Sequence, residues 1–184
     1  MTEERPEFPQ RIFLDSSVLQ TMLRYDEYLY DGGSINANDQ IHRDPSGIVK
    51  LESLKAIVEV GDRAPFQLAL SRNSFAEVSR SGISAYLRWA YDVLDHWNIC
   101  LEESGPPAPN DEALRALDSG EVGYLGAGDR ALIRDAILFE CDTFLTMENK
   151  LPKNRVHLRK SVGLWVETPE MVWNRVHPWA ALLR

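Results

Sequence analysis

Arg11-Ile12-Phe13-Leu14-Asp15-Ser16-Ser17-Val18-Leu19 decides how this chain is read. Ile12 to Leu14 is an unbroken apolar run, the pattern of a short strand buried on both faces of a parallel sheet rather than the alternation of a half-solvated one. Asp15 follows at its carboxyl end, and Ser16 or Ser17 can cap a helix running through Val18, Leu19, Met22 and Leu23. In open α/β sheets the ligand crevice lies outside the carboxyl ends of the strands, so Asp15 is expected to face it. The competing reading is that Asp15 serves only to cap the helix.

The same logic recurs late in the chain. Thr143 to Leu145 reads as a second buried strand that runs into the polar turn Thr146-Met147-Glu148-Asn149-Lys150, which brings Glu148 to the same edge. Asp142 precedes that strand, so a structural or solvated role at the opposite edge is expected of it. Upstream, Leu125 to Phe139 has helical periodicity, with Gly126 and Gly128 at its start. On a helical wheel Leu132, Ile133, Ala136 and Ile137 share one face, Asp129 lies near the centre of that face, and Asp135 lies outside it. Asp129 is therefore expected to face the sheet and Asp135 to face water. Glu140 shares the inward face at the helix's far end.

The order and context of these residues resemble the PIN-domain nucleases. That family has an aspartate after the first strand, an acid on an early helix, an aspartate opening a late helix and a final T-x-D segment. Leu14-Asp15-Ser16-Ser17-Val18-Leu19 matches the first motif, and Phe75-Ala76-Glu77-Val78, after a strand-like Phe66 to Leu70, matches the second. Gly128-Asp129-Arg130-Ala131-Leu132-Ile133 matches the third, and Leu145-Thr146-Met147-Glu148 the fourth, with glutamate where the family carries aspartate. Gly163 to Trp173 looks like the family's last strand and its proline-started helix. The resemblance covers nearly the whole chain.

It implies one PIN-like domain over residues 1–184 with a polar insertion at about 31–50. The expected fold is α/β, a three-layer α/β/α sandwich around a central, mainly parallel sheet, as the alternation of strands and helices also suggests. Asp15, Glu77, Asp129 and Glu148 are the implied catalytic acids, with Asp15, Asp129 and Glu148 as ligands for Mg2+ or Mn2+. Such hard cations favour carboxylate oxygens, and without one the acids would repel a phosphodiester backbone. The implied activity is endoribonuclease hydrolysis of RNA. Toxin-type members work with an antitoxin and many dimerise, so an antitoxin or other protein partner and a second copy are candidate partners beside the RNA substrate.

Bland readings stand beside these. Glu77 alone is an ordinary solvated helix residue and Glu148 an ordinary turn acid. Ser17 and Thr146 are secondary candidates for phosphate or metal, although capping and turn hydrogen bonds explain hydroxyls there equally well. Lys150, Lys153, Arg155, Arg159 and Lys160 follow Glu148 closely and could hold a phosphate backbone or simply form a solvated loop, while Arg72, Arg80 and Arg88 flank Glu77 as another bank.

A formal charge of −8 argues against indiscriminate nucleic-acid binding, though part of it is the proposed acidic site. At 184 residues with 44% hydrophobic content, one domain can bury a full core. No run is long enough to cross a membrane, and the N-terminal Met-Thr-Glu-Glu-Arg-Pro has no apolar stretch, so a cytoplasmic location is expected. Cys100 and Cys141 are expected to be buried thiols, and the four histidines lack paired zinc spacing.

Between the motifs, the glycine-rich stretch from Asp31 to Gly47 reads as a loop, followed by a helix over Leu51 to Val60. Further helices are expected through Glu77, over Ile83 to His96 and around Ala113 to Leu117, with another strand near Asn98 to Leu101 and a stiff turn over Gly105 to Asn110. Two other functions compete. A haloacid-dehalogenase-like phosphatase also begins with a strand-ending Asp, but needs a second Asp where Ser17 stands. A catalytically degenerate PIN-like scaffold that binds RNA or protein is favoured by Glu148 and opposed by the retention of four carboxylates.

Overall fold

In the computed structural model, residues 8–61, 63–79, 111–180 and 182 are described, apart from the side chains of Phe75, Glu77, Val78, Ser79 and Asp111. The helix expected over Ile83 to His96, the strand near Asn98 to Leu101, the Gly105 to Asn110 turn, Arg80, Arg88 and Cys100 lie outside the described residues.

Four short strands form one all-parallel sheet: β1 (Arg11–Leu14), β2 (Gln67–Ala69), β3 (Thr143–Leu145) and β4 (Trp165–Glu167), in the order β2-β1-β3-β4. Phe13 stands in register with Ala69 and Phe144, and Phe144 with Val166. Parallel neighbours need long crossovers, and eight α-helices occur among the described residues: α1 (Ser16–Arg24), α2 (Asp26–Tyr30), α3 (Gly47–Gly61), α4 (Arg72–Ser79), α5 (Asp111–Asp118), α6 (Ala127–Leu138), α7 (Arg155–Val162) and α8 (Pro169–Ala180).

Side-chain alternation divides the apolar residues between the two faces of the sheet. Ile12, Leu14 and Leu145 join Val18, Leu19, Leu51, Leu54, Val172 and Val176 from α1, α3 and α8. Phe13, Ala69, Phe144 and Val166 join Leu117, Leu132, Ile133, Leu158 and Val162 from α5, α6 and α7. Phe13 and Phe144 stack at 5.5 Å between ring centroids, and both are fully buried, each burial contributing about 2–3 kcal/mol. Burial on both faces is why Ile12 to Leu14 of β1 reads as a continuous apolar run. The inward face of α6 is the expected set Leu132, Ile133, Ala136 and Ile137.

Helix ends locate the two edges of the sheet. Phe139 follows the last residue of α6, and its carbonyl accepts from Arg11 Nη1 at 2.7 Å, so α6 ends at the amino edge. Its first turn, with Asp129, therefore lies toward the carboxyl edge. At the amino edge Asp142 Oδ2 accepts the backbone N–H groups of Gln10 at 2.6 Å and Arg11 at 3.3 Å, the structural one of its two expected roles. Asp135 differs from its expected solvent-facing role: it is half-buried and accepts from Asn73 Nδ2 at 2.9 Å, which links α6 to α4.

The helix expected over Leu51 to Val60 starts a turn earlier, at Gly47, and ends at Gly61. A Cβ on Gly47 would come within 2.2 Å of the Ile41 carbonyl oxygen, so only glycine allows that approach. The polar insertion before α3 carries its own local structure rather than reading as loop throughout. Asp39 accepts from Ile41 N–H at 2.8 Å to start a 3-10 turn at Gln40–Arg43, and from the Tyr25 hydroxyl at 2.5 Å. Burial, reinforced by that bond to Asp39, pushes the Tyr25 hydroxyl up to about 12, so it stays a donor. Asp44 accepts from Ser46 N–H at 3.0 Å.

Candidate functional site

Asp15 ends β1 with an extended backbone, φ −67° and ψ 156°, and its carbonyl takes the first backbone bonds of α1, from Val18 and Leu19. Its side chain does not cap that helix. Oδ2 accepts instead from Ser17 Oγ at 2.6 Å and Thr146 Oγ1 at 2.7 Å, and Oδ1 accepts from Ser16 Oγ at 3.3 Å. The residue is 8% exposed, and among the described residues no cation pairs with it. A buried carboxylate is costly unless hydrogen-bonded, and here hydroxyls supply the bonds.

Those hydroxyls are themselves oriented. Ser17 Oγ accepts from Met147 N–H at 3.0 Å, and Thr146 Oγ1 accepts from Glu148 N–H at 3.2 Å. Each hydroxyl thus accepts a hydrogen bond from the turn after β3 and donates one to Asp15. Thr146 is fully buried, with its N–H on the Glu167 carbonyl at 3.0 Å, so the turn begins as an extension of the sheet. Ser17 and Thr146, secondary candidates in the sequence, are the residues the fold joins most directly to Asp15.

The other candidate acids sit on three further segments. Asp129 lies half-buried in the first turn of α6, where the helix dipole favours negative charge. Glu148 is exposed on the turn after β3 and reaches the Asp15 network through its backbone N–H. Glu77 is on α4, which packs against α1 and α6, and its side chain lies outside the described residues. Among the described residues, no group of three or more His, Cys, Asp or Glu side chains is arranged to hold a metal ion.

The basic segment is divided by α7. Lys150 and Lys153 are exposed beside the turn, and Arg155 starts the helix, half-buried, with Nη1 3.6 Å from Met171 Sδ. Arg159 lies at the helix's other end, donating to the Gly163 carbonyl and lying 5.5 Å from the Trp165 ring centroid, at the amino end of β4. Arg155 opens α7 and Arg159 lies in its last turn, so the two arginines occupy different ends of that helix.

The sequence reading missed Lys50 and two serines. Lys50, on α3, is 2% exposed; its Nζ donates to Asp44 Oδ2 and to the Met147 carbonyl, each at 2.8 Å. The ammonium beside it, with Ser46 N–H, holds the Asp44 carboxyl well below the usual carboxylate range. Asn149 Nδ2 also reaches Asp44, at 3.4 Å. Ser71 accepts from Asn73 and Ser74 N–H groups at the start of α4, and Ser74 Oγ donates to the Leu14 carbonyl at 3.1 Å, fixing the chain just before Asp15. The Ser71-Arg72-Asn73-Ser74 spacing signals that cap; nothing local signals the reach of Lys50.

No helix among the described residues is long and apolar enough to cross a membrane. No protein-family model, curated protein or solved structure matches this chain.

Proposed function

We propose that the chain is a Mg2+- or Mn2+-dependent endoribonuclease that hydrolyses RNA phosphodiester bonds at the carboxyl edge of its sheet. In this reading the α/β fold is a PIN-like three-layer α/β/α sandwich. The observation that carries it is Asp15: a nearly buried carboxylate at the edge where parallel sheets bind ligands, held by hydroxyls and not used as a helix cap.

The residues suit a hard cation. An ionised carboxylate has about four lone-pair sites, and three hydroxyls leave acceptor capacity on Oδ1. Magnesium is commonly held by only one or two carboxylates together with waters and substrate phosphate. Asp15, Asp129 and Glu148 would hold it, with Glu77 as the fourth acid. Bound there, the cation supplies Lewis-acid polarisation of a phosphoryl oxygen and acidification of an attacking water. Ser17 and Thr146 orient the Asp15 carboxylate, and exposed Lys150 and Lys153 hold the RNA backbone as point charges. A cytoplasmic toxin working with an antitoxin, and self-association into a dimer, belong to the same proposal.

The decisive experiment is cleavage of single-stranded RNA by wild type and Asp15→Asn across Mg2+ and Mn2+ titrations, with EDTA as control. Cleavage that requires metal and Asp15 supports the reading; equal activity in both proteins overturns it. The degenerate-scaffold reading is favoured by one observation, the exposed Glu148 with no three-acid group among the described residues. It predicts RNA binding by wild type and Asp15→Asn alike, without cleavage at any metal concentration.

A further inference from the structure

We propose that Lys50 is a positioning residue for Asp15, acting through the turn after β3, and that the segment before α3 anchors it; this rests on Asp15 being the metal-binding carboxylate. The path is continuous. Asp44 Oδ2 accepts from Lys50 Nζ at 2.8 Å, Lys50 Nζ donates to the Met147 carbonyl at 2.8 Å, Met147 N–H donates to Ser17 Oγ at 3.0 Å, and Ser17 Oγ donates to Asp15 Oδ2 at 2.6 Å. Met147 is thus gripped on both sides, its carbonyl from α3 and its N–H from α1. The adjacent Glu148 N–H completes the second hydroxyl arm through Thr146.

Packing alone does not call for lysine. Lys50 lies on the α3 face that buries Leu51, Leu54 and Ile57, where an apolar side chain of similar volume would fill the space without desolvating an ammonium. What the ammonium adds is a grip on a carboxylate and a carbonyl at once. The carbonyl belongs to the turn that orients both hydroxyls on Asp15, so the polar segment bearing Asp44 is a brace for the site.

The test uses the full chain and Lys50→Met, which keeps an apolar stem. Amide exchange at Met147 and Glu148 is expected to accelerate by about tenfold or more, while Phe13 and Phe144 amides in the strands keep their rates. Mn2+ affinity, measured by titration without RNA, is expected to weaken by about 10- to 100-fold, as when an outer partner of a metal ligand is lost. Cleavage should show kcat falling by a similar factor with KM for RNA little changed. Unchanged exchange at Met147 and Glu148 overturns the proposal. So does a lower melting temperature accompanied by wild-type Mn2+ affinity and kcat, which would make Lys50 a stability residue only. If wild type neither binds Mn2+ nor cuts RNA, the nuclease reading fails, and amide exchange alone decides whether Lys50 positions the turn. Should Lys50→Met not fold, Asp44→Asn removes the anchor instead and is judged by the same measurements.

Discussion

Asp15 and Asp142 bracket neighbouring strands at opposite edges of one sheet, and the fold treats them differently. Asp142 precedes β3 and accepts the backbone N–H groups of Gln10 and Arg11, with Thr143 Oγ1 adding a bond at 2.6 Å. Two of its three donors are therefore main chain, fixed wherever β1 and β3 are paired. Asp15 follows β1 and takes all its side-chain hydrogen bonds from hydroxyls. Hydroxyls rotate and can exchange one acceptor for another, so a carboxylate held by them can change partners without breaking a strand. The comparison teaches that the two carboxylates differ in donor type: main chain for the one that ties β1 to β3, side-chain hydroxyls for the one at the other edge.

The sharpest way to break this contrast is Asp15→Asn. The amide keeps an acceptor for the hydroxyls but loses the charge, so RNA cleavage is expected to fall at least about 10³-fold, or about 4 kcal/mol in barrier. Stability should change by no more than about 1 kcal/mol, about 2–4 °C in Tm for a domain of this size. A thermal melt beside a cleavage assay checks both. A large loss of Tm with cleavage retained would put Asp15 in the same class as Asp142.

Asp142→Ala is the converse. It leaves the Gln10 and Arg11 N–H groups without their carboxylate, and a loss of about 2 kcal/mol is expected, within the range for hydrogen bonds to charged groups. Metal affinity and kcat should stay at wild-type values. Urea unfolding measures the first; a change in kcat without a change in stability would refute the assignment of the amino edge to structure.

The two central strands were legible because burial on two faces leaves little room for exposed polar residues: Ile12 to Leu14 is apolar throughout, and Phe144 and Leu145 follow a single buried threonine. The inward face of α6 was legible for the related reason that helical spacing alone puts Leu132, Ile133, Ala136 and Ile137 together. That Asp15 and Thr146 meet follows from both segments ending at the same edge, but the bonds from Ser17 and Thr146 hydroxyls to Asp15 were not read from the sequence. Nor was Lys50: its carbonyl partner lies 97 residues away, and no local pattern marks which lysine of a helix turns inward. The early start of α3 was hidden for a similar reason, since the need for glycine at position 47 comes from the Ile41 carbonyl pressed against it.

Asp44 sharpens the comparison with a third kind of donor, the Lys50 ammonium. Its folded-state pKa lies below the ordinary value, first through the hydrogen bond from Lys50 and then through Ser46 N–H. A depressed carboxyl pKa contributes stability that is fully present above the unfolded value of about 3.9 and is lost as pH falls through the folded value. The stability difference between wild type and Asp44→Asn should therefore stay level from pH 7 down to about 4.5 and narrow below about 4. Because Asp44 is partly exposed, the effect at neutral pH should be smaller than that of Asp142→Ala. Denaturant titrations at stepped pH measure it; a gap that widens on acidification would contradict the ion pair.

The smallest expected effect has the opposite sign and lies at the amino edge, where the fold carries a strained residue. Helix α6 ends with Glu140 at φ 52°, its N–H on the Ile137 carbonyl and the next N–H, from Cys141, on the Ala136 carbonyl. These are the two bonds of a Schellman termination, which glycine makes without a Cβ penalty. Helix α7 ends with that glycine, Gly163 at φ 73°. Glu140→Gly relieves the left-handed strain but also frees the unfolded chain, so a net gain of about 0.5–1 kcal/mol is expected. Cleavage should be unchanged, because α6 runs from this edge to the Asp129 turn and its register is set by the buried face rather than by residue 140. A Tm raised by a few degrees with unaltered kcat would confirm that the amino edge can be stabilised independently of the site. A drop in kcat would show instead that the end of α6 and the turn carrying Asp129 move together.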